Sequence, residues 1–352
     1  MIKITQDNKT ECCGCGACMQ ICPKKCITMK KDREGFAYPA VDRDACIDCG
    51  RCEKVCPVIQ KDIQYKKSDE EPMALGGWHK DDAVREDSSS GGAFSLFALD
   101  VLRSGGMVFG AVMGDDLRVC HIGIDKEEEL TRLRGSKYVQ SDIKNVYIEV
   151  RDHLKTGRPV LFSGTPCQAA GLSSFLGKKY DNLYIIDFIC HGVPSPGVFR
   201  KYLKYLEKKT GDEICSYRFR LKDKGWHPSG LQLGTAIRTK KGLYIRNYPA
   251  LRDGYMNGFL DDVYLRPSCY DCRFKCIPKY YADITIADFW GVKNVDPELY
   301  DGKGTSLLLI HSEQGRKLFE RTKQDFYYKP CDYHKSIRRN QTLIRSDRKS
   351  VV

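Results

Sequence analysis

Three groups of cysteines carry the chemistry open to this sequence. Cys12, Cys15, Cys18 and Cys22 precede Pro23, and Cys46, Cys49, Cys52 and Cys56 precede Pro57, so C-x2-C-x2-C-x3-C-P occurs twice. A third group, PSCYDCRFKC at 267–276, lies far downstream. Clustered thiols mean disulfides, zinc or iron-sulfur ligation. The opening MIKITQDNKTECC has no basic stretch followed by an apolar run, and no segment reaches the roughly 18 uninterrupted apolar residues of a membrane span. A cytoplasmic protein without a membrane span is expected, and there thiols stay reduced and ligation is favoured.

The two early runs resemble those of bacterial two-cluster ferredoxins. Three cysteines on a tight loop reach three corners of one cubane, and the fourth, carried away on the next turn, reaches the other. Cys12, Cys15, Cys18 and Cys56 are thus expected to hold one 4Fe-4S cluster, and Cys46, Cys49, Cys52 and Cys22 the second. Gly14, Gly16, Ala17 and Gly50 let the backbone wrap closely, with its N–H groups toward the sulfurs. Structural zinc is the alternative, but two four-cysteine runs ending in Cys-Pro are not a usual zinc pattern. Cys13 and Cys26 are read as non-ligands.

The formal net charge of +12 counts every cysteine as neutral. Three clusters at roughly −2 each would bring it to about +6. Much of the excess sits in SIRRNQTLIRSDRKSVV at the end, which reads as a solvated tail. Nucleic-acid binding is therefore not expected, and an acidic partner such as a ferredoxin or a phosphorylated substrate suits the charge better.

With 352 residues, 41% of them apolar, the chain can fill two or three domains. VIQKDIQYKKSDEEPM lacks apolar periodicity and reads as a linker. Beyond it, strand runs (ALGGWH, MVFGAVM, VCHIGI, RPVLFSG, NLYIIDFIC) alternate with helices through GGAFSLFALDVLRSG, IKNVYIEVRDHLKTG, CQAAGLSSFLG and PGVFRKYLKYLEKK. YRFRLK, LQLGTAIR, LYIRNY, ADITIADF and TSLLLIH add strands with fewer helices. The expected fold class is α+β / α/β: a ferredoxin-like domain at 1–60, a linker at 61–73, a mixed-sheet α/β domain at 74–325 and a basic tail at 326–352.

Several turns in the body could do chemistry. SSSGGAFS, at 88–95, opens a helix with hydroxyls and N–H groups that suit a phosphate or, equally, a plain N-cap. LFSGTPCQAAGL and LYIIDFICHGVPSP each place one cysteine, Cys167 and Cys190, at a strand end, where open α/β sheets gather ligands. With Cys269 and Cys272 they would supply four thiolates. KGWHPSG, at 224–230, is a hairpin loop or a border to a ligand, with His227 as a proton donor.

SSSGGAFS, RGSKYVQSD, GTPCQAAGL, ICHGVPSP, RPSCYDCRFKC and ADITIADFWG, in this order after the ferredoxin-like start, resemble the beta-subunit family of coenzyme F420-reducing hydrogenases and dehydrogenases. The resemblance implies an oxidoreductase that binds FAD and a further 4Fe-4S cluster. It would pass electrons between a small-molecule hydride donor or acceptor, F420 or another, and iron-sulfur centres that meet a ferredoxin or other redox protein. It implies Cys167, Cys190, Cys269 and Cys272 as the body-cluster ligands; Cys276 replaces one of them or is a spectator. It points to Ser90, Gly91, Gly92, Lys137, Gly164 and Thr165 as flavin contacts. Lys137 beside the ring would stabilise negative charge, unless it is a surface lysine. Phe289 and Trp290 suit core packing. Two other functions stand beside this one: an electron-transfer subunit without its own substrate, and a ferredoxin-dependent reductase of a biosynthetic intermediate.

Overall fold

The computed structural model describes residues 2, 8–60, 66–67, 71–227, 233–275, 279–343 and 346. Each early cysteine loop turns into a short helix through a left-handed glycine. Gly16 (φ 74°) leads into α1 (Ala17–Ile21) and Gly50 (φ 68°) into α2 (Arg51–Lys54), a conformation that a Cβ disfavours. Between them lies the antiparallel hairpin of β1 (Ile27–Lys31) and β2 (Ala37–Val41).

The chain next forms β3 (Lys66–Lys67), β4 (Met73–His79), α3 (Asp82–Asp87), α4 (Ala93–Arg103), β5 (Met107–Met113), β6 (Val119–Ile124), α5 (Leu130–Leu133) and α6 (Val146–Lys155). The alternation continues with β7 (Val160–Gly164), α7 (Pro166–Leu176), β8 (Leu183–Phe188) and α8 (Pro196–Thr210). A separate antiparallel sheet follows, of β9 (Ile214–Leu221), β10 (Gly234–Thr239) and β11 (Tyr244–Asn247), then α9 (Gly254–Leu260). Last come β12 (Lys279–Tyr280), paired with β3, then β13 (Ile284–Asp288), β14 (Ser306–Ile310), α10 (Glu313–Thr322), β15 (Phe326–Pro330) and α11 (Tyr333–Ile337).

Among the described residues the central sheet has eight strands, ordered β15-β4-β14-β13-β8-β7-β5-β6. β13, β8, β7 and β5 run parallel. β4 shares their direction, because β4 and β13 both lie antiparallel to β14. The carboxyl ends of five strands, at His79, Met113, Gly164, Phe188 and Asp288, therefore line one edge. The strands divide their apolar residues by alternation. Val108, Leu161 and Ile186 face α4 and α10, while Phe109, Phe162 and Ile185 face α6 and α7.

The ferredoxin-like module shares the second of these cores. Cys13, Cys15, Ala17 and Val55 pack with Tyr147, Phe162, Ala169 and Leu172. Gln20 Oε1 accepts from the backbone N–H groups of Tyr147 (2.9 Å) and Ile148 (3.3 Å), so the module satisfies the first turn of α6. Gly171 in α7 has no Cβ where one would stand 2.8 Å from the Cβ of Cys15.

Two expectations of the sequence need correction. The stretch from 326 is not a tail: β15 is an edge strand of the central sheet, paired with β4, and Phe326, Tyr333 and Ile337 are buried. The alternating apolar residue of FYYKP was outweighed by the basic residues after it. The linker is also shorter at its described end, since β4 starts at Met73 and Lys66–Lys67 pair with Lys279–Tyr280; 61–65 and 68–70 lie outside the described residues. Among the described residues no helix is long and apolar enough to cross a membrane.

Candidate metal centres

Cys167 and Cys190 follow the parallel strands β7 and β8, and Cys269 and Cys272 come from the loop after α9. The turn before Cys167 is built by a capping box. Thr165 Oγ1 accepts from the Gln168 N–H, the Gln168 side chain accepts from the Thr165 N–H, and Pro166 sits at the first helical position. Thr165 Oγ1 also lies 3.0 Å from Cys167 Sγ. Gly164 and Thr165 thus place a thiol.

Burial pushes Cys190 well up, and Cys269, Cys167 and Cys272 push it further. Burial raises Cys269 to about 12 and Cys272 to about 11, with Cys167 adding to both and Cys272 adding to Cys269. Every pair among the four is therefore within electrostatic reach. Among the described residues no three His, Cys, Asp or Glu side chains close on one ion-sized point. Cys276 lies outside the described residues.

Two buried cations stand beside the four thiols. Among the described residues Arg266, 1% exposed, and Lys275, 8% exposed, donate only to carbonyl or amide oxygens: Arg266 to Cys12, Ala37 and Gln140, and Lys275 to His191. Both favour charged thiolates, Arg266 at Cys167 and Cys269 and Lys275 at Cys190 and Cys272. A buried cation without a carboxylate is costly unless an anion completes it. A four-iron cubane with four thiolates, at roughly −2, is such an anion. The residues present fit the group.

In the N-terminal module, burial pushes Cys18 up, with Cys12 and Cys56 adding to it; Cys15 is raised in part by Cys18 and Cys56. Cys22, Cys46, Cys49 and Cys52 line one hollow of about 360 Å³, with Ile47 on its rim 58% exposed. The two cysteines read as non-ligands lie beside these groups. Cys26 Sγ is 3.4 Å from Cys22 Sγ. The buried Cys13 thiol is influenced by both Cys15 and Cys167, so it stands near members of the first N-terminal set and of the body set.

Of the residues expected to contact a flavin, Gly164 and Thr165 belong to the Cys167 turn, and the others sit elsewhere on the strand-end edge. Ser90 Oγ donates to Thr305 O (2.7 Å), the Gly91 N–H donates to Ser306 Oγ (3.0 Å), and Gly92 (φ 87°) starts α4. Ser89 Oγ accepts from the Ser136 N–H at 2.8 Å. Lys137 Nζ donates to the carbonyls of Arg132, Leu133 and Arg134, the end of α5, and burial pulls its pKa down to about 7. The lysine is half-buried, and its three donors are engaged within the chain. As placed, these groups do not fit a phosphate cradle.

Trp226 is fully buried, stacks on Trp290 and donates to Asp288 Oδ1, so it pins the described part of KGWHPSG to ADFWG. His227 follows it, half-buried, and Pro228–Gly230 lie outside the described residues. Asp288 pairs in bidentate fashion with Arg220 (2.6 and 3.0 Å), and Phe289 is core. A second hollow, about 390 Å³, is lined by Asp187, Cys190, Lys275, Tyr280 and Thr285 among others. In it Thr285 Oγ1 donates to Asp187 Oδ1 (2.5 Å) and stands 2.8 Å from His311 Nε2.

Arg266, Lys275 and Gln140 were not singled out by the sequence reading, although two of them flank cysteines in RPSCYDCRFKC. A basic residue beside a ligating cysteine is the available signal, but burial and the lack of a carboxylate partner cannot be read from it.

Paired cysteine runs on glycine turns, ahead of an α/β body with a further thiol nest at its strand ends, define an iron-sulfur protein of the electron-transferring kind. Residues 11–59 match the 4Fe-4S dicluster domain. Residues 157–335 match the family defined by the C-terminal part of the coenzyme F420 hydrogenase/dehydrogenase beta subunit, and the protein belongs to that oxidoreductase family. Among solved structures it is similar to a chain of the F420-reducing NiFe hydrogenase complex from Methanosarcina barkeri. The two share 15% identity with a TM-score of 0.47, over 74% of this chain and 82% of that one. No curated protein matches the chain.

Proposed function

We propose that this chain relays electrons through three 4Fe-4S clusters. An outer cluster is held by Cys22, Cys46, Cys49 and Cys52, a middle one by Cys12, Cys15, Cys18 and Cys56, and a body cluster by Cys167, Cys190, Cys269 and Cys272. What supports the reading is that four thiols from three distant segments lie within electrostatic reach of one another, beside two buried cations that, among the described residues, lack carboxylates. The exposed Cys49 and Ile47 make the outer site the natural port for a ferredoxin or another redox protein.

The finer part of the proposal is an FAD, which would supply hydride exchange with F420 or another small molecule and one-electron delivery to the clusters. It rests on family membership. Ser90, Gly91, Gly92 and Lys137 lie on the strand-end edge where α/β sheets bind ligands, with His227 as the proposed proton donor. The internal hydrogen bonds of the first four mean that such a flavin would draw on other groups of that edge.

Anoxically purified protein should contain about twelve iron per chain and FAD. It should reduce a viologen dye with one donor among reduced F420, NADH and reduced ferredoxin. Stoichiometric zinc with iron near zero would sink the relay. Full iron without flavin or turnover until a partner subunit is added would instead favour an electron-transfer subunit.

A further inference from the structure

Arg266 occupies an unusual place. Its guanidinium is buried and spans both modules: Nε donates to the carbonyl of Cys12 (2.6 Å), Nη2 to that of Ala37 (2.9 Å) and Nη1 to Gln140 Oε1 (2.9 Å). Its Cζ lies 4.3 Å from the Tyr38 ring centroid. Gln140 in turn donates to the carbonyl of Cys13 at 3.2 Å. The cysteine loop makes room for this contact. Gly14 (φ 74°) has no Cβ where one would stand 2.8 Å from Nη1 and 2.7 Å from the Gln140 amide nitrogen.

One end of this arrangement is the loop of Cys12 and Cys15, and the other is Cys269, three residues after the arginine. The cation therefore lies between two of the proposed cluster sites and, among the described residues, is neutralised by no carboxylate of its own. A fixed positive charge stabilises the reduced, more negative form of each neighbouring cluster.

We propose that Arg266 is a positioning residue for electron transfer that locks the Cys12 loop against the PSCYDC segment and raises the reduction potentials of the middle and body clusters together. The inference rests on the relay proposed above. In the step it serves, one cluster loses the electron that the other gains, and no bond is made or broken. Keeping the two potentials close allows that electron to pass in either direction.

Two variants test this in the intact, iron-loaded chain, with each cluster's potential followed by EPR-monitored redox titration. R266Q removes the charge. R266K keeps the charge but lacks the planar fork that holds Cys12, Ala37 and Gln140 together. In R266Q the reduction equilibrium constants of the middle and body clusters should fall about tenfold, 59 mV for a one-electron couple, while the outer cluster stays put; in R266K all three potentials should stay near those of the wild type. A clamp without an electrostatic role predicts the same fall in both variants, and that result, or an equal shift of all three clusters, would overturn the proposal. If R266Q fails to hold iron, R266K decides alone, since a tenfold fall with the charge retained would overturn the proposal. Loss of the relay reading itself would show separately, as wild-type protein with no cluster signals.

Discussion

The cysteine nest and the serine-glycine elbow share the strand-end edge of one sheet, yet they treat polar groups in opposite ways. At the elbow, Ser90 and Gly91 bond to Thr305 and Ser306, Ser89 bonds to Ser136, and Lys137 closes the end of α5. At the nest, four thiols push one another's pKa values up and two buried cations find only carbonyl and amide oxygens among the described residues. Polar groups satisfied within the chain describe scaffolding. Buried charges left without a countercharge describe a site that something else must complete.

The largest effect should come from breaking the nest. C190A removes one of four thiolates, so the chain should lose the body cluster and about a third of its iron, while the spectroscopic signals of the other two clusters persist. Viologen reduction routed through the body should fall with it. Unchanged iron would show that the thiols are not ligands.

At the elbow, G91A should cost stability and leave iron untouched. Its Cβ would stand 2.5 Å from the carbonyl oxygen of Gly77 and 2.7 Å from the backbone nitrogen of Ser306, and strand backbone cannot easily move aside. The cost should be about 3 kcal/mol, the upper end for overpacking, read as a lower thermal midpoint at wild-type iron content. Iron loss in this variant would erase the contrast between the two regions.

That contrast also explains what could be read from the sequence. The N-terminal 4Fe-4S domain is legible because its cysteines recur at fixed close spacing, and Gly16 and Gly50 mark the turns that follow. The strands and helices of the body are legible because each buries a periodic face, from Leu96 and Phe97 in α4 to Leu161 and Phe162 in β7. The elbow misleads because SSSGG has the local look of a phosphate cradle, while its partners lie 215 residues away. Arg266 is missed for the converse reason: an arginine before Pro-Ser-Cys looks like surface until the fold buries it against the Cys12 carbonyl. Long-range burial decides both cases, and no local pattern encodes it.

Asp187 sits on the border between the two kinds of region, bonded to Thr285 yet lining the hollow that holds Cys190. Burial pushes its carboxyl up to about 7; the Thr285 hydrogen bond opposes the shift and Asp283 adds to it. A carboxyl with a raised folded-state pKa contributes stability that is complete below its unfolded value near 4 and is lost as the pH rises through about 7. Between pH 5 and 7 the wild type should therefore lose about 2 kcal/mol relative to D187N, whose amide has the same shape and does not titrate. Thermal midpoints of the two iron-loaded proteins across that range measure the difference. Parallel curves would mean that Asp187 does not change its protonation across that range.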